Sequence, residues 1–128
     1  MPERDQIIRD TFARVLGLVD EAYKSMNSDD KTSFHLLLWR SAAEAEYLAF
    51  QLSMVHGLSD LVPNVHSSYD DSGKAIEAVR VLLAEAQPLI HSDPRRAYQS
   101  VRGAATILRK TYASSERSPS AVESPKNA

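Results

Sequence analysis

The chain has 128 residues, 15 Lys and Arg against 17 Asp and Glu, and a formal charge of −2 with histidine neutral. That length suits a single domain, and 43% hydrophobic with 25% charged residues is the balance of an ordinary soluble globular chain. Zero cysteines exclude disulfides, thiolate metal sites, iron–sulfur clusters and cysteine nucleophiles together, and four scattered glycines exclude a phosphate-cradling glycine loop.

The opening Met1-Pro2-Glu3-Arg4-Asp5 has no apolar stretch behind it, so no secretory leader is expected. No apolar run approaches a membrane-spanning length, so no membrane attachment is expected. With cysteine absent as well, the expected location is cytoplasmic.

Helical spacing of apolar residues begins at once. Ile8, Phe12, Val15, Val19, Ala22 and Met26 recur every three or four residues, which predicts a helix over about 3–26. Pro2 stands where a helix tolerates proline, and Glu3 and Asp5 suit the positive end of its dipole. Asn27-Ser28-Asp29-Asp30 ends this helix and offers a cap for the next. Phe34, Leu38, Ser41, Ala45, Leu48, Leu52 and Val55 then repeat the same spacing, predicting a helix over 31–56 that stops at Gly57.

Residues 58–72 lose the periodicity and hold Pro63, Asn64, Asp60, Asp70 and Asp71, which predicts a loop longer than bundle helices usually need. A third helix is expected over 72–91, capped by Asp71 or Ser72, with Ile76, Val79, Leu83, Ala86 and Ile90 on its apolar side. Pro88 removes one backbone hydrogen bond and crowds the preceding turn, so a kink or break is expected near Gln87. Asp93-Pro94 restarts a helix, with aspartate as cap and proline at the first position. The fourth helix is expected over 94–113, carrying Tyr98, Val101, Ala105, Leu108 and Tyr112; so short a join implies a helical hairpin. Residues 114–128 have no periodicity and little apolar bulk, so they are expected to be disordered. No strand signal occurs. The expected architecture is all-α: one domain over 1–113, a four-helix antiparallel bundle with the second helix central.

That second helix is the informative one. At about 100° per residue, one apolar arc holds Phe34, Leu37, Leu38, Ala45, Leu48, Leu52 and Val55. A second arc, facing the opposite way, holds Leu36, Trp39, Ala43, Phe50 and Met54, including the chain's single tryptophan. Two polar strips separate them, one with Arg40, Glu44 and Gln51 and with Tyr47 at its edge, the other with His35, Glu46 and Ser53. Arg40 and Glu44 are spaced to pair along the helix. An outer helix of a monomeric bundle needs only one apolar stripe, so the second needs a cover. That cover is another part of the chain, a second copy, or an apolar ligand. Symmetric dimers dominate among oligomers, and aromatic and methionine side chains are what interface cores favour, so a homodimer through this face is the leading expectation.

The fourth helix carries the only charge asymmetry. Arg95, Arg102 and Arg109 recur every seven residues, and no acid lies between 94 and 113. Such a stripe is able to follow phosphates, which makes nucleic acid or another polyanion the alternative partner. Cations near a helix C-terminus equally suit the dipole.

No catalytic, cofactor or metal set is expected. His35, His56, His66 and His91 show no recognised ligand spacing, and the acidic pairs Asp29-Asp30 and Asp70-Asp71 stand at helix starts, where capping explains them. No Gly-x-Ser-x-Gly elbow occurs. The expected function is therefore a small non-enzymatic helical module that acts by interaction, with another protein partner also open to it.

Overall fold

Five helices and no strand occur among the described residues of the computed structural model, which are 2–28, 30–57, 69 and 71–123, with nothing but backbone for 2–4 and 116–123. Helix α1 runs Pro2–Met26, α2 Lys31–His56, α3 Ser72–Ala86, α4 Leu89–Ser92 and α5 Pro94–Glu123. The fold is an all-α helical bundle. No helix among the described residues is long and apolar enough to cross a membrane. Most of the expected loop over 58–72, with His66 and Asp70, lies outside the described residues, as do residues 124–128.

Several helix ends have an identifiable chemical cause. The Asp30 side chain accepts from the Ser33 backbone N–H at 3.0 Å and from the Ser33 hydroxyl at 2.6 Å, satisfying a donor that the first turn leaves open. Gly57 closes α2 in the left-handed region, φ 65° and ψ 45°, a conformation that costs a side-chain-bearing residue energy, and its N–H returns to the Ser53 carbonyl. Asp71 accepts from the Lys74 N–H at 2.8 Å and starts α3. Pro88 breaks the third helical segment: α3 ends at Ala86, and the short α4 begins directly after the proline. Asp93 then caps α5 through the Arg96 N–H at 3.4 Å.

Helix α2 packs against α1 and α5, and α3 packs against α5 and α1; α2 and α3 do not touch. The core lies between these four. From α1 come Ile8, Phe12, Val15, Val19 and Ala22; from α2 Phe34, Leu38, Ala45, Leu48 and Leu52; from α3 Ile76, Val79 and Leu83; from α5 Tyr98, Val101, Ile107 and Leu108. Small residues widen the buried arcs, with Ala42 and Ala49 on α2 and Ala97, Ala104 and Ala105 on α5 fully or almost fully covered. Apart from Ala105, apolar spacing alone does not single these alanines out, because alanine is at home on a helix surface too.

Helical geometry in α5 passes the expected end at Ala113 and continues to Glu123. The first residues of this extension touch the body of the fold: the Ser115 hydroxyl lies 3.2 Å from His35 Nδ1, and His35 stacks on Tyr112 with ring centroids 4.3 Å apart. Polar contacts of that kind leave no apolar periodicity to read.

Candidate interaction surface

The helical cylinder of α2 is used on three sides. One side meets α1, a second meets α5, and the third faces outward. On the outward side Leu36, Trp39, Phe50 and Met54 are 52%, 47%, 57% and 68% exposed, and Tyr47 joins them at 48%. Ala43 is half-buried between them. Among the described residues, five of the eight large apolar side chains standing in solvent are on this one helix face. No described part of the chain covers it. A contiguous apolar strip rich in aromatics, on an otherwise charged surface, is characteristic of a contact surface.

Both edges of the strip are pinned by ion pairs. On the α1 edge, Arg14 Nε lies 3.2 Å from Glu44 Oε1. On the α5 edge, Arg109 offers both arms of its guanidinium to Glu46, Nε to Oε2 at 3.1 Å and Nη2 to Oε1. The apolar strip therefore has a polar rim, the anatomy of a protein interface with a desolvated centre.

Between α1 and α2 the α1 edge opens into a groove of about 380 Å³, lined by Arg14, Gly17, Leu18 and Glu21 on one wall and Trp39, Arg40, Ala43 and Glu44 on the other. Gly17 leaves the groove its depth: a Cβ placed there meets nothing within 4 Å. Leu18, Trp39 and Ala43 make it apolar, while two arginines and two glutamates give it both signs of charge.

The pairing of Arg40 with Glu44 is not made. Glu44 is held by Arg14 instead, because a long arginine reaching across the α1–α2 contact lies closer than the next turn of the same helix. In the strip with His35, Glu46 and Ser53, each side chain has a partner. His35 and Glu46 face α5 through Tyr112 and Arg109, and Ser53 is buried with its hydroxyl donating to the Phe50 carbonyl at 3.1 Å.

The three arginines of the basic stripe do not share one setting. Arg95 stands exposed near the start of α5. Arg102 is half-buried, its Nη1 donating to the Tyr98 hydroxyl at 2.7 Å and its guanidinium lying over the Tyr98 ring. Arg109 is the partner of Glu46. A phosphate would have to compete for two of the three. Among the described residues, no group of three or more His, Asp or Glu converges as a metal site would require.

Asp30 is held below its ordinary value of 3.8 by the Ser33 hydroxyl and backbone N–H, which bond best to the charged carboxylate. That is capping chemistry rather than catalysis.

No family model matches this chain, and neither a curated protein nor a solved structure matches it. A functional reading therefore rests on the surface of α2 alone.

Proposed function

We propose that this chain is a small non-enzymatic interaction module, an antiparallel bundle of its four long helices, that self-associates through Leu36, Trp39, Ala43, Phe50 and Met54. The observation that supports it is the half-exposed aromatic strip on α2 between two ion-paired edges. A second copy is the favoured occupant because the strip supplies a substantial share of the area that a symmetric contact buries. Half-exposed, its three aromatic side chains alone contribute roughly 300 Å², against about 800 Å² per partner in an interface of standard size. Leu36, Met54 and the rim supply more. A cytoplasmic setting belongs to this reading and rests on the cysteine-free composition.

Phosphate binding by Arg95, Arg102 and Arg109 is the lesser reading, since Arg95 alone of the three stands clear of an intramolecular partner among the described residues.

Light scattering coupled to size-exclusion chromatography tests the proposal. The expected mass is twice the 14.2 kDa of the chain. Trp39→Glu places a charge in the centre of the strip and is expected to give a monomer of unchanged helicity, because Trp39 contributes to no buried core. A wild-type monomer, or a Trp39→Glu variant that stays dimeric, overturns the reading.

A further inference from the structure

The order of side chains along the outward strip of α2 is close to palindromic. Reading from its start come Leu36, Trp39, Ala43, Tyr47, Phe50 and Met54. About position 45, Leu36 is placed opposite Met54, and Ala43 opposite Tyr47. Trp39 falls within one residue of Phe50. Like-sized aliphatic side chains mark the two ends, aromatic ones come next, and at the centre a small residue balances a large one.

This pattern fits one kind of partner orientation. In a parallel pair, each residue meets its own copy at the same level. Ala43 against Ala43 leaves a void, and Trp39 against Trp39 or Tyr47 against Tyr47 crowds the neighbouring turns. Interfaces close well when large faces small. In an antiparallel pair centred on position 45, every large side chain of the strip meets a different one, and Tyr47 meets the gap at Ala43. The helix dipoles also oppose rather than reinforce each other.

The edges of the strip favour the same orientation. A two-fold axis across an antiparallel helix pair keeps each edge of one copy facing the same edge of the other. At about 100° per residue, Tyr47 leans to the α1 edge of the strip, beside Arg40 and Glu44, and Phe50 to the α5 edge, while Trp39 lines the groove on the α1 side. The partner's Tyr47 thus arrives above Ala43 on the edge where the α1–α2 groove opens. Its ring finds Leu18, Trp39 and Ala43, and its hydroxyl comes to an edge that offers the Glu44 carboxylate. Trp39 also comes level with the partner's Phe50, which places aromatic side chains of both copies near one another. A parallel pair exchanges the edges, sends Tyr47 toward the Glu46–Arg109 pair and leaves the groove without an occupant.

We infer that the α1–α2 groove is the receptor for Tyr47 of a second copy of this chain, docked antiparallel with the two α2 helices centred on position 45. This rests on the self-association proposed above and adds to it an orientation, a register and a pocket.

The absence of cysteine makes the orientation directly measurable. Leu36→Cys and Met54→Cys are both exposed positions and leave the core untouched. In the antiparallel register the two copies of position 36 stand about 27 Å apart along the helix axis, at 1.5 Å per residue, while position 36 faces position 54 of the other copy. Mixed Leu36→Cys and Met54→Cys chains are expected to cross-link through a short bis-maleimide, and each variant alone is not. Cross-linking of Leu36→Cys with itself overturns the antiparallel register while leaving self-association standing. A wild-type monomer at every concentration overturns both.

The groove has its own test. Gly17→Gln fills it from the α1 wall without meeting packed atoms near the helix, and Tyr47→Ala removes the ring from the other side. Each is expected to raise the dimer dissociation constant about tenfold or more, the effect of losing a central anchor residue, with circular dichroism and the monomer melting temperature unlowered. A dissociation constant unchanged in both variants overturns the assignment of the groove.

Discussion

The two apolar faces of α2 are built from the same kinds of residue and have opposite fates. Leu38, Leu48 and Leu52 on the inner face have no accessible surface, while Leu36, Phe50 and Met54 on the outer face keep more than half of theirs. Hydrophobicity does not distinguish the faces; neighbours do. Two helices, α1 and α5, flank α2, and their apolar stripes together with that of α3 close the core beneath its inner face. At the outer face their contribution is two charged side chains, Arg14 and Arg109, that bond to the rims. An apolar stripe on a helix therefore does not by itself settle its burial; the neighbouring helices and the charges they carry do.

The comparison is broken or upheld most sharply by paired truncations in the monomer. Leu48→Ala removes a fully buried side chain and leaves a cavity, so a loss of about 2–5 kcal/mol of unfolding free energy is expected. Phe50→Ala, two residues along the same helix, is expected to change it by no more than about 0.5 kcal/mol, as surface substitutions do. Chemical denaturation at a concentration low enough for light scattering to give the mass of one chain measures both. A Phe50→Ala loss as large as that of Leu48→Ala would mean that the outer face is covered within one chain, and the distinction between the faces would fall.

The edges between the faces predict a smaller effect. Glu46 and Arg109 are each about half exposed, at 48% and 46%, so solvent screens their attraction despite the two-armed geometry. A double-mutant cycle of Glu46→Gln and Arg109→Gln is expected to give a coupling of about 0.2–1 kcal/mol that shrinks as salt is raised. The single-armed Arg14–Glu44 contact is expected to give less in the same experiment. A coupling of zero at low salt would remove the idea that this rim holds the α5 edge of the strip in place.

Much of this arrangement is legible in the amino-acid sequence. The spacing of Phe12, Val15 and Val19, or of Leu38, Leu48 and Leu52, assigns each residue an angle on its own helix, and the angle decides burial once a core exists. Asp30, Gly57, Asp71, Pro88 and Asp93 act on the backbone within a few residues, so their effects are local and readable. The outer strip of α2 is legible in the same way, except for Tyr47, which sits at its edge and reads as part of a polar strip. What spacing does not carry is which neighbour a long polar side chain reaches. Arg14 takes Glu44 away from Arg40, Arg109 takes Glu46, and His35 finds Tyr112 and Ser115, all across helix contacts that no interval along the chain encodes. The basic stripe of α5 loses its uniformity for the same reason. The extension of α5 beyond Ala113 belongs to that class as well, since it begins in contacts to polar groups.

The smallest effect lies at the shared start of both faces. Asp30 is fully exposed, and its carboxylate is held below its ordinary value of 3.8 by the Ser33 hydroxyl and N–H. A carboxyl whose folded value is depressed adds stability at pH values above its unfolded value, and that increment disappears as pH falls through the folded value. Asparagine caps a helix about as well as aspartate but does not titrate in this range. Asp30→Asn is therefore expected to melt slightly below the wild type at pH 7, with the gap closing as the pH is taken below about 4. Thermal melts of the two chains across that window, compared as a difference so that the remaining carboxylates cancel, provide the measurement. A gap that stays constant with pH would show that the charge on Asp30 contributes nothing beyond the hydrogen bonds of an uncharged cap. A gap that widens on acidification would reverse the sign and mean that the carboxyl is better accommodated protonated at the head of α2.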